Sequence, residues 1–301
     1  MPIRASIIVP THNRRDMFLR LLDSLLQQTL SCQDYEIIVV CDGVTDGTDT
    51  VLRSLRQKHP NLQSIEQQNA GPAAARNAGA KAARGACLAF TDDDCVADPG
   101  WLSNLIAPFD DPQVVAVEGR TITIPAERTP LTQQVESSGD LGVLATCNAA
   151  CRRDVFEQLG GFAEKFPFPH NEDADLAWRL EKVGQIHYAP DALIVHPPRP
   201  EGFLKKVSWV GHLESEFLLF SRNPSAYRKH RSLSPWVTIY WKMFVVWQCR
   251  TARSALKFLL IRFSPRYFGI TIALVLARWW KLIQLFPRFL QASRSARRAL
   301  D

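Results

Sequence analysis

The sequence lacks any run of about 18 uncharged apolar residues, the length that a membrane-spanning helix needs. The nearest approach, Leu233 to Cys249, carries Lys242 in its middle, and Tyr267 to Ala277 is uninterrupted but short. An interfacial or hairpin role stays open for both. The stretch Met1 to Asn13 has no basic, long apolar signal pattern and enters a strand-like run almost at once, which disfavours export. Seven cysteines, an odd number without paired metal-type spacing, argue against a disulfide framework and for a reducing compartment. There is no internal repeat and no low-complexity tract. A Gly-x-Gly-x-x-Gly fingerprint after the first strand and a Walker A lysine loop are both missing, which leaves dinucleotide redox chemistry and P-loop ATP hydrolysis with little support.

What is present is a chain of 301 residues, 46% hydrophobic and 22% charged. That suits one large or two ordinary domains and excludes disorder, collagen-like repetition and a disulfide mini-protein. The formal charge of +6 is an average of two unlike parts. Residues 1–200 hold 18 Lys+Arg against 26 Asp+Glu, a net of −8, whereas residues 201–301 hold 18 against 4, a net of +14. The second part also holds 18 of the 29 aromatics and six of the eight Trp. With Pro197-Pro198-Arg199-Pro200 as a linker, the expected domains are 1–200 and 201–301.

Four short apolar runs, Ser6–Val9, Glu36–Val40, Ala86–Phe90 and Val114–Val117, read as strands buried on both faces. Between the first two, Phe18, Leu19, Leu21, Leu22, Leu25 and Leu26 repeat at helical spacing after Asp16. Thr48 to Leu55 and Ala73 to Ala83 read as further helices. The alternation implies an α/β fold, a Rossmann-like, mostly parallel sheet flanked by helices. Open α/β sheets bind ligands outside the carboxyl ends of their strands. The polar clusters stand at those ends: Pro10-Thr11-His12-Asn13-Arg14, Asp42-Gly43 and Asp92-Asp93-Asp94. Singly, each is ordinarily a turn, a helix cap or a solvated loop; all three together are expected to converge.

Asp92 and Asp94 alternate along the triplet, which is expected to put them on one side. Two hard oxygen donors suit Mg²⁺ or Mn²⁺, ions that usually complete their shell with water and substrate phosphates. Asn69-Ala70-Gly71-Pro72 with Arg76, Asn77 and Gly79 offers small residues for close backbone approach and a guanidinium for a diphosphate. Further on, His170-Asn171-Glu172-Asp173-Ala174-Asp175 opens a helix. Its acids either complement the helix dipole or supply a general base. His196, after the apolar run Ala192–Val195, is either a surface residue or a third metal ligand.

Taken in order, Ser6–Arg14, Asp42–Thr48, Asn69–Gly79, Phe90–Asp94, Asn148 through Arg153 to Gly160-Gly161-Phe162, Asn171-Glu172-Asp173 and Val195-His196 closely resemble glycosyltransferase family 2 over about residues 4–197. These are inverting nucleotide-sugar transferases with the A-type glycosyltransferase fold. The resemblance implies that Pro10, Thr11 and Asp42 line the nucleoside pocket, with Arg76 near the nucleotide and Asn13 and Asp93 in the donor-binding set. It implies that Asp92 and Asp94 are the two acids of the Asp-x-Asp motif, with Asp94 the direct metal ligand and His196 an additional one. Asp173 matches the catalytic base, with Glu172 as the fallback, and Asn148 matches a position beside the donor sugar or acceptor. The chain departs from the family's frequent Asp-Asp-Gly-Ser at Cys41-Asp42-Gly43-Val44, which bears on the nucleotide base. It also lacks the Gln-x-x-Arg-Trp motif of processive synthases, which favours one sugar per encounter. Cys41 is either a reactive thiol or a buried structural one.

Beyond Pro200 a helical region is expected over Phe203 to Phe220, Pro235 to Cys249, Ala252 to Phe263 and Tyr267 to Phe289, punctuated by Pro235, Pro265 and Pro287. Cations interleave with Trp, Phe and Leu, a pattern that fits a membrane interface with anionic lipid, or else a packed helical subdomain or oligomer contact. Nucleic-acid binding is not expected, given the acidic first part. The expectation is a metal-dependent enzyme moving one sugar from a nucleoside-diphosphate sugar to a lipid-linked or membrane-bound glycan acceptor, at the cytoplasmic face of the cell membrane. A nucleotidyltransferase would need a Gly-rich loop after the first strand, and Thr11 to Asp16 has no Gly. A non-catalytic membrane adaptor would not need Asp92, Asp94 and Asp173.

Overall fold

The computed structural model describes residues 3–124, 128–133, 135–139, 143–166, 168–262 and 264–298. The chain packs as two compact units. The first comprises Met1–Ile124, Gln134–Lys165 and Glu172–Pro197; the second comprises Pro125–Gln133, Phe166–Asn171 and Pro198–Asp301.

The first unit is built on strands β1 (Ala5–Thr11), β2 (Tyr35–Asp42), β3 (Leu62–Gln67), β4 (Cys87–Thr91), β5 (Val96–Ala97), β6 (Val114–Ile122), β8 (Asn148–Arg152) and β9 (Gln185–Val195). They form one sheet in the order β3-β2-β1-β4-β8-β6-β9-β5. The pairs β1 with β2 and β4, β2 with β3, and β6 with β9 are parallel. Antiparallel β8 joins β4 to β6, and β5 closes antiparallel on β9. This is the mostly parallel, helix-flanked sheet expected from the apolar runs. Ile7, Val9, Ile37 and Val39 are wholly buried, each worth about 1.5–3 kcal/mol of transfer free energy.

Helices α1 (Arg15–Leu26), α2 (Thr48–Arg56), α3 (Pro72–Ala82), α4 (Trp101–Ile106), α5 (Arg153–Gln158) and α6 (Glu172–Leu180) belong to this unit. α1 buries Phe18, Leu21, Leu22 and Leu25, the stripe its spacing predicts. α3 presents small residues to the sheet, and at Gly79 an added Cβ would lie 2.6 Å from Ile8 Cγ2. That close seat carries Arg76, one turn earlier on the same helix, into the interior. β3 has no apolar run, because as an edge strand it buries only Leu62 well.

The second unit holds helices α7 (Phe203–Ser208), α8 (Ser215–Arg222), α9 (Pro224–His230), α10 (Gln248–Arg262), α11 (Pro265–Gln284) and α12 (Phe286–Arg298). Val237–Trp247 winds as a π-helix, and short strands β7 (Thr132–Gln133) and β10 (Arg199–Pro200) pair antiparallel. Its core gathers Val210, Leu213, Phe217, Ile239, Leu282 and Phe289. The carboxyl-terminal region is thus helical as expected, although Phe263, where one expected helix ends, lies outside the described residues. No single helix among the described residues is long and apolar enough to cross a membrane. Pro265–Gln284 with Phe286–Ala296 reaches that composition only as a pair bent by 54°. All seven cysteines are free thiols; Cys32 and Cys249 are exposed and the other five are buried.

Candidate active site

The loops that follow β1, β2 and β4 meet at the carboxyl ends of those strands, joined by the residue after β9 and the first turn of α6. After β1, Thr11 Oγ1 donates to Asp93 Oδ2 at 3.0 Å and Arg14 Nη1 donates to Asp93 Oδ1 at 2.8 Å. Arg14 also stands 3.6 Å from Asp94. Burial raises the Asp93 carboxyl above its ordinary value, with Asp94 adding to the shift and Arg14 opposing it. The middle acid of the triplet therefore ties two loops together from inside the protein.

Asp42, at the end of β2, accepts from Gln67 Nε2 at 2.8 Å, from the Ala70 amide at 2.8 Å and from the Gly71 amide at 2.9 Å. A carboxylate holding two successive amides fixes the Asn69–Gly71 loop ahead of α3. Gly43 completes the clamp at φ +68°, with space so close that an added Cβ would lie 2.8 Å from Asn69 Cβ. His12 Nδ1 donates to the Asp42 carbonyl at 2.5 Å. Asn13, itself at φ +53°, accepts from the Thr45 amide at 2.7 Å. Pro10 sits on β1 opposite Val40, partly exposed.

Arg76 is the hub on the other side. Its Nη2 donates to Asp92 Oδ1 at 2.7 Å, its Nη1 lies 3.6 Å from Glu172 Oε1, and its guanidinium lies 5.7 Å from the Phe162 ring centroid. Burial works against the arginine's charge, yet Asp92 and Glu172 hold its pKa above the ordinary value. Glu172 shows the reverse balance. Burial and then Asp173 push its carboxyl up to about 7 against the pull of Arg76, and its Oε2 is buried without a hydrogen-bond partner among the described residues. Asp173, the second residue of α6, is partly exposed, and its Oδ1 accepts from the Ala174 amide at 2.7 Å.

Asp94 turns to the far strand. His196 Nε2 lies 3.4 Å from Asp94 Oδ1, Cys95 Sγ lies 4.0 Å from the same oxygen, and one donor atom from each of the three falls within 4.8 Å of the others. Two donors about 2.1 Å from a shared ion stand about 3–3.5 Å apart at octahedral or tetrahedral angles. The carboxylate and imidazole fit a divalent cation on that measure. The structure thus brings Asp94 and His196 together, adds Cys95, and gives Asp92 to Arg76. β4 ends at Thr91 and a turn follows at Asp93-Asp94, so the two outer acids of the triplet do not follow strand alternation.

Asn148 is taken up inside the sheet. Its Oδ1 accepts from Trp101 Nε1 at 2.8 Å, and its Nδ2 donates to the Arg120 and Ala192 carbonyls at 2.9 Å each. It is fully buried, so its amide braces β6, β9 and α4. Cys41 is buried and its thiol is pushed up to about 11, chiefly by burial, which leaves it the structural of its two readings. Arg14 closes the polar cluster after β1, whereas Cys95 has no sequence signal beyond standing next to Asp94.

Residues 6–160 match the description Glycosyl transferase family 2. Glycosyltransferase AglE of Haloferax volcanii is 31% identical over 250 residues, covering 78% of this chain and 80% of that protein. The structure of the mannosyltransferase PcManGT from Pyrobaculum calidifontis, in complex with GDP-Man and Mn²⁺, superposes with a TM-score of 0.61 at 21% identity, covering 93% of this chain and 89% of that one. The S. aureus TarS 1–349 structure in complex with UDP-GlcNAc gives 0.58 at 16% identity, covering 95% and 92%. The sheet and its flanking helices are therefore the A-type glycosyltransferase fold, and the chain belongs to glycosyltransferase family 2.

Proposed function

We propose that this glycosyltransferase moves a single sugar, with inversion, from a nucleoside-diphosphate sugar to the hydroxyl of a lipid-linked or membrane-bound glycan. The observation that carries the reading is the pair of acids opening α6. Glu172 faces inward to Arg76, while Asp173 is the partly exposed member and the one able to meet an incoming acceptor.

In this reading Asp173 takes the proton of the acceptor hydroxyl as its oxygen attacks the anomeric carbon and the bond to the diphosphate oxygen breaks from the opposite face. One displacement inverts the configuration, and no covalent glycosyl-enzyme is required. The Asp42-clamped loop and the Thr11–Asp93–Arg14 link hold the strand ends where the donor would lie. Asp94 and His196, with Cys95 beside them, would hold Mn²⁺ or Mg²⁺, which when bound supplies positive charge to the departing diphosphate.

A site of action at the cytoplasmic face of the membrane draws support from the second unit's surface. Leu276, Trp280 and Ile283 are exposed at helical spacing on α11 and Phe286 and Leu290 on α12, within a region of net charge +14. Such a face suits an anionic lipid surface.

The test is to present the purified protein with a panel of nucleotide sugars and Mn²⁺ or Mg²⁺, following donor binding and slow donor hydrolysis. Binding of at least one donor is expected, and failure to bind any under every metal condition would sink the reading. Asp173→Asn should abolish transfer while leaving donor affinity nearly intact. Equal loss of both would reassign that residue.

A further inference from the structure

The first unit carries a second cleft that the transfer chemistry above leaves unused. β1 pairs parallel with β2 and β4, and β2 with β3, so the amino ends of these strands lie on the side away from the loops of the candidate active site. There a cleft of about 570 Å³ opens beside the edge strand β3. Its walls include Arg53, Arg56 and Gln57 from the end of α2, Gln63 from the start of β3, and Arg84, which precedes β4. No acidic side chain belongs to the lining.

Each arginine is anchored by a protein acceptor and keeps donors to spare. Arg84 gives Nε and Nη2 to Glu36 Oε2 at 2.9 and 2.8 Å. Glu36 is itself wholly buried, and it also accepts from Ser6 Oγ at 2.6 Å and from Gln63 Nε2 at 2.8 Å. One buried carboxylate thus positions two of the lining groups. Arg53 meets Asp49 at 2.8 Å and Glu66 at 3.2 Å, both through Nη2, and Arg56 Nη1 donates to Ser64 Oγ at 3.4 Å. Among the described residues, Nη1 of Arg53 and of Arg84 and Nη2 of Arg56 donate to no protein group. The Arg53 and Arg84 side chains are 59% and 61% exposed, so a ligand from solvent can reach them.

Arg53 and Arg56 stand three residues apart on α2, a spacing at which like charges repel, and Arg84 brings a third cation to the same cleft. An anion relieves that repulsion. Guanidinium forks match the paired oxygens of a phosphate, and three forks with two side-chain amides offer more donors than one phosphate can use. We propose that this cleft is a second anion site, separate from the transfer centre, that binds a small soluble ligand carrying two linked phosphate groups. Its volume falls in the range of small-molecule sites, roughly 300–1,000 Å³. The diphosphate of a sugar donor is not this ligand, because the loops that would hold a donor stand at the opposite ends of the same strands.

The test titrates inorganic pyrophosphate into the full chain by calorimetry, with a chelator present so that no divalent cation can hold the probe at the transfer centre. Pyrophosphate is expected to bind, and Arg56→Gln and Arg53→Gln are each expected to weaken it about tenfold or more, as loss of a charge-assisted hydrogen bond should. Arg84→Gln should weaken it as well, but it strands the buried Glu36 charge. Arg56→Gln breaks only the bond to Ser64, so it keeps the proposal testable where Arg84→Gln fails to fold. Arg20→Gln, an exposed charge on α1 outside the cleft, should leave the affinity unchanged. Unchanged affinity in both Arg53→Gln and Arg56→Gln, or equal weakening by Arg20→Gln, would overturn the site. Inorganic phosphate binding as tightly as pyrophosphate would overturn the choice of a paired-phosphate ligand. Phosphatidylglycerol vesicles displacing pyrophosphate at equal phosphate concentration would assign the cleft to a bilayer headgroup and overturn a soluble ligand. None of these readouts depends on sugar transfer, so the site and the transferase reading stand or fall separately.

Discussion

His196 Nε2 stands 3.4 Å from Asp94 Oδ1, which ties the residue after β9 to the turn after β4. If this pair is the core of a cation site, Asp94→Asn and His196→Ala should each weaken Mn²⁺ binding by at least about tenfold, the low end of what even an outer partner's loss costs. Cys95→Ser should matter less for Mn²⁺, because a thiolate favours softer ions. Free Mn²⁺ measured by electron paramagnetic resonance reads all three, and unchanged affinity in both of the first two variants would move the ion elsewhere.

Arg76 compensates Asp92 and Glu172 together. Arg76→Met should destabilise the protein by on the order of 3 kcal/mol at pH 8, since removing one partner of a buried ion pair leaves the other's charge uncompensated. Arg76→Lys should recover part of the loss. Urea unfolding followed by circular dichroism measures both, and a loss under about 1 kcal/mol would show that solvent already compensates the acids.

The Glu172 carboxyl carries a pH signature. Burial, then Asp173, raise it from 4.5 to about 7. The folded chain therefore holds a proton that the unfolded chain releases, so the contribution to stability is complete below pH 4.5 and is lost as the pH rises through about 7. Glu172→Gln should gain stability relative to the parent chain at pH 8 compared with pH 5. Parallel stability–pH curves for the two proteins would rule this out.

The exposed stripe on α11 and α12 predicts that the full chain floats with vesicles containing anionic lipid, less so as salt is raised, and hardly at all with neutral vesicles. Replacing Trp280 and Ile283 by Ser should reduce the floated fraction while leaving far-ultraviolet dichroism unchanged. Absence of flotation at every salt concentration would favour a packed helical subdomain.

How much of this the sequence discloses depends on burial. β1, β2, β4 and β6 are legible because both faces are largely buried and each carries a short run of mostly apolar residues, and α1 because Phe18, Leu21, Leu22 and Leu25 mark one face. β3 is hidden because Leu-Gln-Ser-Ile-Glu-Gln at a sheet edge has one well-buried residue. The meeting of the strand-end loops follows from topology, and so it was readable from the alternation of elements. The sorting of Asp92 to Arg76 and Asp94 to His196 depends on a two-residue turn whose torsions no spacing rule records. Asn148 illustrates the same limit: its place in a motif is visible, but the three hydrogen bonds that consume its amide come from residues 101, 120 and 192. The joining of Pro125–Gln133 and Phe166–Asn171 to the second unit leaves no mark in composition either.

The cysteines have a practical consequence. With five thiols buried, the two exposed ones fall one to each unit, Cys32 in the first and Cys249 in the second. The unaltered chain is therefore a ready-made double-labelling target: a thiol-reactive spin label or dye pair should react at these two positions ahead of the rest. Dipolar or energy-transfer spectroscopy could then follow the distance between the catalytic fold and the helical tail through donor and lipid binding, without a single engineered residue.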